Sequence, residues 1–122
     1  MYSNSEKNLK IVFTSLHGTS YKLIPKLLKK TGFSELKLVD KQMIPDGNFT
    51  HAKSSNPEEK LALIDAIEIA KKNNSDLVIG TDPDADRFGI VVKDFNDNYI
   101  QINGNQSMIV LTDFLLSKLE YD

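Results

Sequence analysis

Short apolar runs alternate with amphipathic segments along this chain, and the two patterns predict different elements. Short apolar runs bounded by polar residues are typical of buried strands. They predict four strands, at residues 9–14, 35–39, 76–80 and 88–92. Residues 99–102 are a candidate for a short additional strand at the edge of the sheet.

Apolar residues spaced three or four apart predict three helices. The first covers residues 21–30 and becomes regular at about Ile24, because a proline follows that residue. The second runs from Pro57 to about Asn73, with Asn56 as its cap. The last is capped by Asn105, and its apolar stripe contains Met108, Leu111, Leu115 and Leu119.

This order of elements predicts an α/β fold of the three-layer type. We expect a small mixed, mostly parallel four-stranded sheet with flanking helices and right-handed crossovers. The connection between the third and fourth strands is too short for a crossover, so these two strands should be antiparallel.

The most informative stretch is the loop at residues 80–87, which carries three aspartates at alternate positions. If the loop is extended, Asp82, Asp84 and Asp86 point the same way. At about 4 Å and an effective dielectric of about 20, each pair of carboxylates repels by about 4 kcal/mol. A bound divalent cation removes that cost. Oxygen ligands without a nearby His or Cys favour Mg²⁺, then Mn²⁺ or Ca²⁺.

Arg87 follows the third aspartate directly and is the only arginine among fifteen basic residues. A guanidinium is a planar, bidentate donor that suits phosphate better than an ammonium does. The loop therefore indicates phosphoryl chemistry beside a metal.

Other interpretations of this loop remain open. It could be a solvated acidic turn, or part of a non-catalytic module that binds metal or phosphosugar. A calcium-binding EF-hand is excluded, because it would need Gly and Glu where this chain has Arg87 and Lys93. A phosphatase of the haloacid-dehalogenase type would use Asp82 as its nucleophile, but that family expects Thr or Val where Asp86 stands.

The turn at residues 15–20 follows the first strand and contains a single glycine, Gly18. Such a turn before a helix can cradle a phosphate on its backbone donors, but a plain tight connection is the simpler interpretation. His17 is a candidate ligand or proton carrier, but a histidine hydrogen-bonded within its own loop is the simpler interpretation.

Composition limits the possible partners of the chain. The 122 residues carry a net charge of −2, which argues against nucleic acid or an anionic membrane as a partner. There is no cysteine, which excludes disulfides and thiolate chemistry and is compatible with a reducing cytosol. No apolar run approaches the ~20 residues needed to span a bilayer, and residues 1–8 lack a signal peptide's apolar core.

With these residues placed, the chain resembles the second domain of the α-D-phosphohexomutases, the superfamily of phosphoglucomutase and phosphomannomutase. Residues 80–87 are similar to that family's magnesium loop and are the most specific part of the resemblance. Other stretches are similar as well, at residues 13–19, 45–49, 54–59 and 104–106. In these details the chain looks more like the phosphoglucomutase and phosphopentomutase branch than the phosphomannomutase branch.

The resemblance implies an exchange of a phosphoryl group between a phosphoserine and a sugar phosphate, by way of a sugar bisphosphate. It implies that glucose 1-phosphate and glucose 6-phosphate are interconverted, with Mg²⁺ as cofactor. It makes Asp82, Asp84 and Asp86 the metal ligands, and it makes Asp86 and Arg87 contacts for the phosphorylated substrate. A phosphomannomutase or phosphopentomutase is the alternative parent.

The resemblance also implies that catalysis needs further domains. The family's Ser-His-Asn-Pro nucleophile loop does not occur in this sequence, where residues 54–57 share only the final Asn-Pro. We therefore expect no catalytic residue in this chain and an inactive isolated chain. The implied divisions are a disordered start at residues 1–8, the family's second domain at 9–102, and a helix at 103–122 that leads into a third domain. The parent would be cytoplasmic.

Overall fold

A mixed five-stranded sheet with flanking helices forms the described part of the chain, residues 8–119, in a computed structural model. The strands are β1 (Ile11–Thr14), β2 (Leu36–Leu38), β3 (Leu77–Thr81), β4 (Phe88–Lys93) and β5 (Tyr99–Ile102). The α-helices are α1 (Leu23–Lys30), α2 (Ile64–Asn73) and α3 (Gly104–Ser117). The predicted disordered start falls outside the described residues, except for Asn8.

The predicted α/β class is confirmed, but the sheet has five strands in the order β2-β1-β3-β4-β5. β1 is parallel to β2 and β3, whereas β4 is antiparallel to both β3 and β5. Four of the five strands therefore run in the same direction, which confirms a mixed, mostly parallel sheet, but the predicted number of four strands was wrong because the candidate edge strand at residues 99–102 forms. The fifth strand forms because Asp94 organises a tight reversal, in which its Oδ1 accepts the N–H groups of Asn96 and Asn98, both at 2.8 Å.

The core lies between the sheet and α2. Its buried members are apolar residues of the strands, of α2 and of the segments next to them: Val12, Leu16, Val39, Ala62, Leu63, Ala66, Ala70, Val78 and Val91. Ile11 and Phe13 alternate with Val12 along β1 and are also buried. Both faces of β1 are thus covered, as expected for a strand with a parallel neighbour on each side.

Helix α1 begins at Leu23, close to the predicted start at Ile24. Pro25 lies in its first turn, where its missing N–H is harmless. A short 3₁₀ turn at Thr19–Tyr21 precedes the helix. Gly32 follows the helix with a φ of 103°, the left-handed conformation that favours glycine.

The second helix begins at Ile64 and not at the predicted Pro57. The Asn56 side chain accepts the N–H of Glu58 at 3.1 Å, which closes a local turn and does not start a helix. The carbonyl of Pro57 accepts the side-chain amide of Gln101 at 3.2 Å. These contacts hold the segment against the sheet, so the sequence signal for a helix cap was misleading.

Helix α3 begins two residues earlier than predicted, because Asn103 and not Asn105 is its cap. The Asn103 side chain accepts the N–H of Gln106 at 2.9 Å, and the Gln106 side chain accepts the N–H of Asn103 at 3.0 Å. This reciprocal pair is a capping box. The predicted apolar stripe, Met108, Leu111, Leu115 and Leu119, is exposed. None of the helices within residues 8–119 is long and apolar enough to cross a membrane.

The long connection between β2 and α2 contains a turn organised by Asp46. Its Oδ1 accepts the N–H of Asn48 at 2.9 Å, and its Oδ2 accepts the N–H of Thr50 at 3.0 Å. Hydrogen bonds from Thr50 and Asn48 lower the pKa of Asp46 from 3.8 to about 2. The carboxylate form is therefore favoured by folding.

Leu63 offers a test of the core, because it is fully buried and its neighbour Leu61 is 55% exposed. We expect Leu63→Ala to lower the free energy of unfolding by about 3 kcal/mol, through lost burial and the cavity left behind. Leu61→Ala should lower it by well under about 1 kcal/mol. Urea unfolding followed by circular dichroism measures both variants, and similar losses would contradict this packing.

The Asp46 turn predicts a pH-dependent stability. Because the folded-state pKa is depressed, the carboxylate stabilises the fold above pH ~4, and this contribution is lost as the pH falls toward 2. Asp46→Ala should therefore lower the unfolding midpoint at pH 7, and the deficit should shrink as the pH falls through about 2. Asp113→Ala, which removes an exposed aspartate of α3, is the control. A deficit for Asp46→Ala that is the same at both pH values would refute the prediction.

Candidate metal site at the carboxyl edge of the sheet

The aspartate loop joins β3 to β4 at the carboxyl end of β3. Thr81 and Phe88 are the last paired residues of the two strands. Between them, the N–H of Asp82 donates to the carbonyl of Arg87 at 3.2 Å. Ligands of open α/β sheets bind at this edge, outside the carboxyl ends of the parallel strands.

The three predicted carboxylates converge in space. One oxygen from each of Asp82, Asp84 and Asp86 lies within 4.8 Å of the other two. Within residues 8–119 this is the one group of acidic, histidine or cysteine side chains with such spacing. Asp82 is buried at 2% exposure, while Asp84 and Asp86 are exposed. A cation bound between these oxygens would contact one buried carboxylate, that of Asp82, and two exposed carboxylates, those of Asp84 and Asp86.

Arg87 is bound to Asp82 by two hydrogen bonds. Its backbone N–H donates to Asp82 Oδ1, and its Nε donates to Asp82 Oδ2, both at 3.0 Å. Burial raises the pKa of Asp82, but the hydrogen bonds from Arg87 outweigh it, so the net pKa lies below its ordinary value. The hydrogen bond to Asp82 in turn raises the pKa of Arg87. Asp82 is therefore ionised at neutral pH, as a metal ligand must be.

Asp86 lies in a different electrostatic environment. Its interactions with Asp82 and Asp84 raise its pKa, because neighbouring carboxylates disfavour a further negative charge. Arg87 Nε lies 3.9 Å from Asp86 Oδ1, too far for a hydrogen bond. The side chains of Asp86 and Arg87 are 70% and 55% exposed, so both face solvent.

Asp86 and Arg87 also line an open groove of about 330 Å³. Helix α3 also lines the groove, mainly through the apolar side chains of Met108, Leu111 and Leu115. The groove leaves open space beside the two charged side chains.

The backbone of the loop is fixed at its centre by Ala85. The N–H of Ala85 donates to the carbonyl of Asp82 at 3.0 Å. Ala85 has a φ of 61°, a left-handed conformation that costs a non-glycine residue about 1–2 kcal/mol. The turn brings Asp84 and Asp86 back toward Asp82.

The turn after β1 supports this loop, a role that sequence reasoning missed. The N–H and hydroxyl of Thr19 donate to the carbonyl of Pro83, at 2.8 and 3.0 Å. The Ser20 hydroxyl lies 2.6 Å from that of Thr81, and both are buried. The one available signal was topological, because the connections that follow adjacent parallel strands meet at the same sheet edge.

His17 is a structural residue, as the simpler interpretation proposed, but its ring bonds to the connection between β2 and α2 and not within its own turn. Its Nε2 accepts the N–H of His51 at 3.0 Å, so its Nδ1 carries the proton and donates to the carbonyl of Ile44 at 2.8 Å. Both ring nitrogens are used, and the residue is 4% exposed. These contacts leave no nitrogen for a metal or a proton transfer.

Comparison with known proteins places the fold and the loop in one family. Residues 1–96 match the family model described as phosphoglucomutase/phosphomannomutase, alpha/beta/alpha domain II. A solved structure of a phosphoglucomutase/phosphomannomutase family protein from Burkholderia thailandensis superposes with a TM-score of 0.75 at 25% identity. That superposition covers 92% of this chain and 23% of the other.

Relatives with a higher identity carry the name phosphoglucomutase. One from Staphylococcus aureus strain N315 is 44% identical over 113 residues, and one from strain MRSA252 is 43% identical. Each alignment covers 93% of this chain but only 20% of the relative. The chain thus spans about a fifth of the length of these curated relatives. Since the family model matches most of its residues, this chain belongs to the phosphoglucomutase/phosphomannomutase family, as the α/β/α domain II.

Proposed function

We propose that this chain is the metal-binding domain of a phosphoglucomutase-type enzyme. The observation that carries the proposal is the convergence of Asp82, Asp84 and Asp86 at the carboxyl edge of the sheet, beside Arg87. The names of the relatives support a mutase, and therefore an isomerase, as the parent. Its reaction would interconvert glucose 1-phosphate and glucose 6-phosphate through a phosphoserine and a sugar bisphosphate. A mannose or pentose phosphate is the alternative substrate.

The donor set fits Mg²⁺. All three candidate ligands are carboxylates, and their oxygens are close enough to share one ion. When bound, Mg²⁺ would supply Lewis-acid polarisation of phosphoryl oxygens. The chain's own contribution is to keep Asp82 ionised through Arg87 and to hold the three carboxylates together, against their mutual repulsion.

Arg87 and Asp86 are the proposed contacts for the phosphorylated substrate. The Arg87 backbone N–H and Nε both donate to Asp82, which fixes one edge of the guanidinium while about half of the side chain faces solvent. A guanidinium held in this way can neutralise phosphate charge without reorganising during the reaction. The open groove beside both residues leaves room for a ligand.

Asp82 suits the role of metal ligand better than that of phosphatase nucleophile. Its side chain is only 3% exposed, and both of its oxygens accept hydrogen bonds from Arg87. An in-line attack on phosphorus needs an exposed oxygen. The phosphoserine is instead proposed to come from another part of a cytoplasmic parent protein, whose other domains would be this chain's partners.

Metal binding can be tested with Mn²⁺ on the purified chain, by paramagnetic broadening of amide NMR signals. We expect broadening centred on residues 82–87, because the three carboxylates converge there. Asp84→Asn should abolish it, since one ligand charge is removed. Asp97→Asn is the matched control, an 83%-exposed aspartate of the β4–β5 turn at the opposite end of β4. Broadening centred on residues 94–98, or unchanged in Asp84→Asn, would contradict the assignment.

The isolated chain should have no mutase activity. The proposed mechanism needs a phosphoserine, but the Ser-His-Asn-Pro loop that the family uses does not occur in this sequence. Of the two serines before Asn56, Ser54 instead accepts the N–H of Asn56 in a local turn. Glucose 1-phosphate with added bisphosphate should therefore remain unconverted in a coupled dehydrogenase assay. Conversion that Asp84→Asn abolishes would show that this chain is catalytically complete.

A further inference from the structure

The turn at residues 15–20 and the aspartate loop lie side by side because of strand pairing. β1 and β3 are adjacent and parallel, with Thr14 opposite Gly80. The connection that follows β1 therefore emerges next to the connection that follows β3. Gly18, on the first connection, meets Pro83, which stands between the first two candidate ligands.

Gly18 and Pro83 are in direct backbone contact. A Cβ atom at Gly18 would lie 2.4 Å from Pro83 Cα and 2.6 Å from the Pro83 carbonyl oxygen, distances that real Cβ contacts do not reach. The backbone of Gly18 has φ −102° and ψ −168°, an extended conformation open to any residue. Only the closeness of Pro83 therefore requires glycine at this position.

Hydrogen bonds hold the loop on both sides of Asp82. After it, the Pro83 carbonyl accepts two bonds from Thr19, one from its N–H and one from its hydroxyl. Before it, the Thr81 hydroxyl pairs with that of Ser20. The backbone that presents the buried ligand is thus fixed from the neighbouring turn, about sixty residues earlier in the chain.

That neighbouring turn is itself rigid. Leu16 and His17 both have a left-handed backbone, with φ values of 47° and 62°. Leu16 is fully buried, and the His17 ring is bound to the backbone at Ile44 and at His51. A turn anchored in this way can serve as a fixed support.

We propose that Gly18 and Thr19 are positioning residues for the metal site, an inference that rests on the proposed function. They touch neither the metal nor the substrate. They fix Pro83, and through it the spacing of Asp82 and Asp84. Changing groups that orient metal ligands typically lowers metal affinity by about 10- to 100-fold.

The first test compares Gly18→Ala with Gly47→Ala, and it measures the Mn²⁺ affinity of the 122-residue chain by electron paramagnetic resonance. Gly18→Ala should weaken binding about tenfold, because its Cβ must push Pro83 away. Gly47→Ala is the matched control, since a Cβ there meets nothing within 4 Å, and it should bind like the wild type. Amide shifts of residues 82–87 in the metal-free chain should move in Gly18→Ala only.

The threonine series gives a second test that does not depend on added bulk. Thr19→Val removes the hydroxyl bond to Pro83 and should weaken Mn²⁺ binding about fivefold, whereas Thr19→Ser should restore it. Thr31→Val is the matched control, because its hydroxyl donates to backbone carbonyls at the end of α1, far from the loop. It should lower the unfolding midpoint without changing the affinity.

The outcomes separate this inference from the proposed function. If the wild type does not bind Mn²⁺ at residues 82–87, the proposed metal site is wrong, and the inference is lost with it. If the wild type binds there and Gly18→Ala and Thr19→Val bind equally well, only the positioning role is overturned. Should Gly18→Ala fail to fold, the threonine series decides alone.

Discussion

The burial of one carboxylate, that of Asp82, is the constraint on which the rest of the site depends. A buried charge without partners costs several kcal/mol or is neutralised by a proton. Asp82 avoids both outcomes because each of its oxygens accepts a hydrogen bond from Arg87. Arg87 can do this only because the loop returns to β4 within five residues. The shape of the loop and the ionisation of Asp82 therefore depend on the same two hydrogen bonds.

The sheet contributes by bringing two distant connections together. The parallel pairing of β1 with β3 is a contact over about sixty residues of sequence, and it places a stiff turn beside the aspartate loop. The loop has few apolar contacts of its own, since three of its six residues are aspartates. Hydrogen bonds within the loop are therefore supplemented from outside, by Gly18 and by the uncharged hydroxyl side chains of Thr19 and Ser20.

The sequence predicts those features of the structure that depend on residues close together in the chain. The alternating aspartates, the apolar strands and the reversal between β3 and β4 are visible because each lies within a few neighbouring residues. Asn56 and Pro57 also form a local pattern, that of a helix cap, but contacts of Pro57 with Gln101 overrode it. The contact between Gly18 and Pro83 had no sequence signal of its own. A lone glycine after a strand fits a tight turn and a close backbone approach equally well.

The left-handed backbone of Ala85 has a consequence for the mobility of the aspartate loop. A glycine would adopt the left-handed conformation at this position at no steric cost and would leave the unfolded chain more states to lose. Alanine instead favours other conformations, so this turn keeps its shape because hydrogen bonds hold the loop in place as the chain folds. A cation that arrives later meets a largely ordered loop. Its association should then be limited by the removal of water from the ion and not by rearrangement of the protein.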